Sequence, residues 1–524
     1  MEPVPEWGTI PRMLRAQAAG HPDTEIVADG DTRLTLAELA AAASEAARAL
    51  AAAGVEPGDR VAVWAPNGWQ WVVTAFGVWD AGAVLVPLST RFKGLEAGTV
   101  LTSTGAKVLV AADGFGGVSF LDLLASEYGQ PAGNRQYSGL PELQHVVPLS
   151  GWNCFLATAA GVGRAAAERR ALAVRPGDLA EILATSGTTG APKGVMIDHG
   201  QLLRGYWDWA EVVTLGPGDR YPIVAPFSHG FGVNAGLLAC VLRRATIVPI
   251  AAFDPEAALE LVQRERLSLL AGPPTLFGRL LERPDFAACD TSSLRVAIVG
   301  AASVPTELVH RMRERFGRVI NAYGLIEGTV VSMTRAGDPP ETVASTAGRP
   351  MPGVEVRVVD DRGAGVAAGE RGEVLIRGYG VMRGYWRAPE LTAEAVDTDG
   401  WLHTGDIGVL DSSGNLAIVD RKKDLFIVGG FNAYPAEIES LLRRHPAVGQ
   451  AAVIGVPDAA LGEVGWAYVV PAPGATVDPD EVVAWARGAM SNYKVPRTVV
   501  VLDVLPVNAN GKVDKPALRQ LVTS

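Results

Sequence analysis

Apolar residues recur on one helical face through LTLAELAAAASEAARALAAAGV, from Leu34 until Gly54 stops the pattern. The next stretch, DRVAVWAP, is a short apolar run closed by a turn, and predicts a strand. WVVTAFGVWDAG reads as a helix and VLVPL as the strand that follows it. EAALELVQRERLSLLAGPP repeats that order, and SLRVAIVGAA and RVINAYG bracket the helix TELVHRMRERFG. Strand and helix in alternation predict α/β layers with mainly parallel strands.

The rhythm changes between 354 and 427. VEVRVVD, GEVLIRG and NLAIVDR are short strands separated by Gly and Asp turns, so a β-rich subregion is expected there. It changes again in the last hundred residues. AEIESLLRRHPAV is an amphipathic helix, QAAVIGVPD and GWAYVVPAPG are strands, and PDEVVAWARGAM is a helix. These predict a small α+β lobe, and the charged strip DRKKDLF suits a hinge before it. The expected division is a large domain over 1–420 and a lobe over 421–524.

Composition narrows the classes. With 524 residues, 48% hydrophobic and 20% charged, the chain can bury more than one core. The net charge is −11 and no Lys/Arg run stands out, which argues against a nucleic-acid partner. The longest apolar stretch is broken by Asp80, Gly82 and Pro87, so no integral membrane segment is expected. Cys154, Cys240 and Cys289 are scattered without CxxC spacing. They predict neither a disulfide framework nor a zinc site, and fit a reducing cytoplasm.

ILATSGTTGAPKGVMIDHG, from 182, carries the clearest chemistry. An apolar strand feeds a loop of small hydroxyl and glycine residues that Lys193 closes. Glycines let backbone N–H groups approach an anion, hydroxyls donate further hydrogen bonds, and Lys adds charge. That is a phosphate cradle, although its spacing is not that of GxxxxGK[ST].

TSGTTGAPKG resembles the phosphate loop of the adenylate-forming superfamily, which includes acyl- and aryl-CoA ligases. The resemblance spans nearly the whole chain. PFSHGFG at 226, VGAASVP at 299, NAYGLIEG at 321, GRPMPGVEV at 348, WLHTGDIG at 401, DRKKDLFIVGGFNAYPAEIE at 420 and NANGKVDK at 508 follow in the family's order. Bacterial, especially actinobacterial, acyl-CoA ligases are the most similar members.

The resemblance implies two steps. A carboxylate attacks the α-phosphate of ATP to give acyl-AMP and pyrophosphate; a mobile C-terminal lobe then turns and the thiol of CoA attacks the acyl-AMP. Thr185, Ser186, Gly187, Thr188, Thr189, Gly190 and Lys193 would hold the phosphates. Ala301, Ala302, Asn321, Tyr323 and Gly324 would line the nucleotide, with Asp406 on the ribose and Arg421 nearby. Glu327 would ligate Mg²⁺, a hard cation suited to carboxylate and phosphate oxygens. Lys512 would reach the reacting phosphate during adenylation, and a compact charge on a long stem suits that task. Lys423 falls at the hinge, and Gly429 and Gly430 would let the pantetheine arm pass.

The acid pocket implied by the same resemblance comprises His229, Phe231, Val233, Asn234, Gly300, Ser303, Gly324 and Leu325. Trp207 and Trp209 fit the core better than the pocket. One residue departs from the pattern. The family carries Thr before the metal-binding Glu, and here Ile326 stands there. A lost hydrogen bond to a charged group costs about 1.5–3 kcal/mol. The expected activity is an AMP-forming acid–CoA ligase using ATP, Mg²⁺ and CoA, as a monomer or homodimer. Alternatives are a diazotase that adenylates nitrite and couples it to an aryl amine, transfer to a carrier protein, and a non-catalytic nucleotide-binding relative.

Overall fold

The computed structural model describes residues 3–130, 137–185, 192–300, 304, 306–360, 362–421, 426–506 and 513–522. A seven-stranded sheet forms the centre of the large domain. Its order is Gly384–Tyr385, Lys193–Asp198, Leu179–Thr185, Val84–Pro87, Arg60–Trp64, Ala106–Ala111 and His145–Pro148. The last five strands run parallel, and the first two join antiparallel at one edge. The near-continuous apolar runs follow from this position: Arg60–Trp64 and Val84–Pro87 are covered on both faces, so alternation is lost.

The helix Leu36–Ala52 shows why the local sequence folds as it does. Thr35 accepts from the Glu38 N–H while Glu38 accepts from the Thr35 N–H, closing a capping box. Its buried residues, Leu39, Ala43, Ala46 and Leu50 among them, recur at helical spacing. The small ones let Trp69–Asp80 pack closely: a Cβ on Gly77 would come within 2.6 Å of Ala46 Cβ.

A second sheet has Leu269–Gly272, Val296–Gly300 and Arg318–Leu325 in parallel, then Thr329–Met333 and Arg349–Pro350 antiparallel. A four-stranded antiparallel sheet, Val354–Val359, Arg371–Gly378, Leu402–Leu410 and Leu416–Arg421, is the β-rich subregion.

The C-terminal sheet carries Phe431–Ala433, Phe426–Val428, Gly462–Pro471 and Val448–Asp458, with Thr498–Val501 parallel to Gly462–Pro471. Helices Pro435–Leu442 and Pro479–Ala489 cover its own core, built on Phe426, Ile438, Val453 and Ala467. The architecture is therefore mixed α/β with a large N-terminal domain and a small α+β lobe. Among the described residues no helix is long and apolar enough to cross a membrane. Cys154, Cys240 and Cys289 are all unbridged.

Candidate active site

The strands Leu179–Thr185 and Lys193–Asp198 pair antiparallel with Thr185 opposite Lys193, so the hydroxyl- and glycine-rich loop between them is held at both ends. The Thr185 hydroxyl donates to the Lys193 carbonyl at 3.4 Å. Ser186, Gly187, Thr188, Thr189 and Gly190 lie outside the described residues, as do Ala301, Ala302, Ser303, Lys423 and Lys512.

Two of the remaining candidates, Lys193 and Glu327, meet through one residue that no motif names. Tyr385 sits on the edge strand Gly384–Tyr385, pairing with Val195 two positions beyond Lys193. The Lys193 ammonium lies 4.6 Å from the centre of the Tyr385 ring. The Tyr385 hydroxyl donates to Glu327 Oε1 at 3.2 Å. Burial, then the neighbouring Glu327 charge, pushes the Tyr385 phenol well above its usual range, so it stays a donor.

Glu327 lies in a single 3₁₀ turn, Ile326–Gly328, directly after Arg318–Leu325. On that strand the Tyr323 hydroxyl donates to Asp406 Oδ2 at 2.5 Å. Asp406 is buried on Leu402–Leu410, with the Arg421 backbone as its cross-strand partner. Two contact groups, Lys193–Tyr385–Glu327 and Tyr323–Asp406, are thus drawn from three sheets and joined by the chain that runs from Tyr323 to Glu327. Gly324 permits the tight approach: a Cβ there would come within 2.4 Å of the Thr329 carbonyl. Thr329 itself has φ 55°, unusual for a β-branched residue, so backbone strain sits two residues from Glu327.

Asn321 stands apart. It is buried, and its amide donates to the Val343 and Thr346 carbonyls at 3.0 Å each, which holds the helix Pro340–Ser345 to the sheet. Ile326 is half-buried and packs against the main core.

His229 begins the acid-side segment. Its Nδ1 accepts from the Phe231 N–H at 3.1 Å, which leaves the proton of the neutral ring on Nε2. The ring is reached by solvent yet crowded by protein atoms; desolvation lowers its pKa and favours the neutral form. The chain then enters a π-helix, Phe231–Leu238.

Within the π-helix, Phe231 is half-buried and meets Trp209 edge-on at 6.2 Å. Val233 and Asn234 are wholly buried. Asn234 Nδ2 donates to Glu181 Oε1 at 2.6 Å, and the Tyr206 hydroxyl also bonds Asn234. Burial pushes Glu181 up to about 8, so its carboxyl is protonated at neutral pH. Neither Glu181 nor Tyr206 belongs to a motif, and only their contacts identify them. Trp207 lies under the Arg243 guanidinium, 3.5 Å from the ring centre, and is 7% exposed, while Trp209 is fully buried; both are core.

Gly300 and Ala322 are opposite each other at the C-terminal ends of their parallel strands, and Gly272 lies opposite Val299 at the same edge. Ligands of open parallel sheets bind at such ends. Gly429 and Gly430, with φ 55° and 83°, form the two-residue turn between Phe426–Val428 and Phe431–Ala433. This turn rests on Pro273, directly after Gly272: a Cβ on Gly430 would lie 3.6 Å from Pro273 Cγ. The lobe therefore presents its glycine turn to the edge that carries Gly300 and Tyr323.

Comparison with known proteins agrees with this geometry. The AMP-binding enzyme family matches residues 14–386, and the AMP-binding enzyme C-terminal domain matches 437–512. The chain is 46% identical over 522 residues to the "3-[(3aS,4S,7aS)-7a-methyl-1,5-dioxo-octahydro-1H-inden-4-yl]propanoyl:CoA ligase" of Mycobacterium tuberculosis, covering 98% of this chain and 99% of that protein. It is 37% identical to a feruloyl-CoA synthase of Amycolatopsis, covering 95% and 96% of the two chains. The solved amide bond synthetase McbA of Marinactinospora thermotolerans superposes with a TM-score of 0.83 at 32% identity, over 97% of this chain and 99% of that one. This chain belongs to the AMP-binding enzyme family.

Proposed function

We propose that this protein activates a propanoate carried on a fused, oxygenated ring system, forming the acyl adenylate and then the acyl-CoA. The reaction class is AMP-forming acid–CoA ligation, with ATP and CoA as co-substrates. The ring-bearing acid is the finer reading. It is supported by full-length likeness to two actinobacterial ligases named for a dioxo-octahydroindenyl propanoyl group, at 46% and 44% identity.

The observation that carries the site assignment is the pair of contact groups Lys193–Tyr385–Glu327 and Tyr323–Asp406, joined by the chain between Tyr323 and Glu327. Thr185 and Lys193 grip the β- and γ-phosphates, together with the loop between them. Asp406 accepts from the ribose hydroxyls; a carboxylate has about four lone-pair sites, so the Tyr323 hydroxyl occupies only part of its capacity. Tyr323 borders the adenine. The carboxylate oxygen of the acid attacks the α-phosphorus and the bond to pyrophosphate breaks. The CoA sulfur then attacks the acyl carbon, AMP leaves, and the thiol proton is released. Neutral His229 borders the acid carboxylate without adding charge of its own.

Among the described residues no group of three His, Cys, Asp or Glu side chains could cage a metal. One carboxylate beside phosphate oxygens suits Mg²⁺, which keeps several waters. Glu327 would hold it, with Tyr385 fixing the carboxylate's orientation. Bound there, Mg²⁺ supplies positive charge to the phosphate oxygens. We assign residues 1–420 to the adenylating domain and 421–524 to the lobe.

AMP release with an acid panel, with and without CoA, tests this reading. The panel contains the dioxo-octahydroindenyl propanoate, ferulate and octanoate, with an arylalkylamine arm that replaces CoA. AMP release that needs both the ring-bearing propanoate and CoA supports the proposal. Turnover that needs the amine instead places this chain with the amide bond synthetase.

A further inference from the structure

One buried ion cluster joins the lobe to the large domain and has no part in the chemistry above. Lys494 is 2% exposed. Its ammonium donates to Glu437 Oε1 at 2.6 Å, on the lobe helix Pro435–Leu442, and to Glu96 Oε1 at 2.7 Å, on the large-domain helix Gly94–Thr104. The Ser491 hydroxyl donates to Glu96 Oε2 at 3.1 Å. Beside this cluster the Arg91 guanidinium lies 3.9 Å from the centre of the Phe431 ring, and Phe431 directly follows the glycine turn. The contact thus sits one residue from the turn that rests on Pro273.

We propose that Glu96 is a positioning residue for the thioester-forming half-reaction: by pairing with Lys494 it holds the Gly429–Gly430 turn at the mouth of the site. The proposal rests on the two-step acid–CoA ligase reading. Its charge balance suits a reversible contact. When the lobe leaves, Lys494 and Glu437 remain paired one to one inside the lobe, so no cation is stranded in a dry interior. Glu96 then returns to water and keeps its role at the start of its own helix, where it accepts from the Lys93 N–H at 2.9 Å. Docking brings Glu96 as a second carboxylate to a lysine that is already paired, and the lobe's own Ser491 hydroxyl donates to the same Glu96. An oriented contact gains from that arrangement, and a permanent core contact does not need it.

The test uses full-length protein carrying Glu96→Gln, which keeps the shape and the cap, and Ser491→Ala as a milder second variant. In the absence of substrates, hydrogen exchange at the amides of 429–432 and 491–494 should quicken roughly tenfold in Glu96→Gln, as expected for loss of a charge-assisted hydrogen bond. It should quicken less in Ser491→Ala, with the melting temperature held in both. ATP–pyrophosphate exchange should be unchanged, while acyl transfer from preformed acyl-AMP to CoA should fall about tenfold. Glu96→Asp should recover part of the transfer rate. Unchanged hydrogen exchange, or equal losses in both half-reactions, would overturn the proposal. Exchange does not depend on the acid, so a failed acid panel and a failed clasp give different results.

Discussion

The Tyr323 hydroxyl donates to Asp406 Oδ2 across 2.5 Å, and so ties the parallel sheet to the antiparallel one at the point assigned to the nucleoside. The two residues are 83 positions apart. Because a carboxylate loses acceptor capacity when it becomes an amide, Asp406→Asn should raise the KM for ATP more than Tyr323→Phe does. The expected rise for Tyr323→Phe is about tenfold, from loss of one hydrogen bond to a charged group. Equal binding of ATP by wild type and both variants in titration calorimetry would remove the pair from the nucleotide site.

Tyr385→Phe should act through Glu327. Removing the hydroxyl deletes the 3.2 Å bond to Glu327 Oε1 while the ring remains beneath Lys193. The Mg²⁺ concentration needed for half-maximal AMP formation should rise severalfold, with the melting temperature little changed. A Mg²⁺ dependence identical to wild type would show that the hydroxyl does not orient the carboxylate.

Much of this arrangement was legible in the chain, and the parts that were not share a cause. The helix Leu36–Ala52 was readable because its periodicity and its Thr35–Glu38 box are local. The helix Pro435–Leu442 ends sooner than the apolar pattern of AEIESLLRRHPAV suggests, since Pro446 cannot continue a helix and disfavours it in the residue before. Glu327, Asp406 and Lys193 were nameable because each stands in a motif. Tyr385 was not, because its strand is two residues long and its meaning lies in a partner 58 positions away. Glu96 and Lys494 are 398 residues apart, and no spacing rule reaches that far. Asn234 drew notice as a pocket residue, yet its amide is spent on Glu181, whose burial no local pattern records.

Glu181 makes stability depend on pH in a stated direction. Its pKa rises from 4.5 to about 8 in the native protein. Between those values the folded chain keeps a proton that the unfolded chain releases. Stability therefore falls as pH rises through this window, and levels off above it. Glu181→Gln should flatten the slope in urea-melt midpoints measured from about pH 5 to about pH 9. An unchanged slope would mean that Glu181 is not the group that titrates.

Ile326 stands beside Glu327 without a hydroxyl, and its side chain packs on the main core. Ile326→Thr should raise adenylation by roughly tenfold or more if the added hydroxyl reaches the α-phosphate, since a hydrogen bond to a charged group is gained. The same change removes apolar packing, so a small drop in melting temperature should accompany it. Pyrophosphate-exchange rates separate the two effects. A fall in the native activity would instead show that the isoleucine serves the native acid.

Attack by the acid's carboxylate on the α-phosphorus leaves an isotopic record. When an acid labelled with oxygen-18 in its carboxylate is turned over with ATP and CoA, one labelled oxygen should pass into the AMP, and the acyl-CoA should keep the other. Label in inorganic phosphate, with ADP as the nucleotide product, or AMP without label, would contradict an acyl-adenylate route through this site.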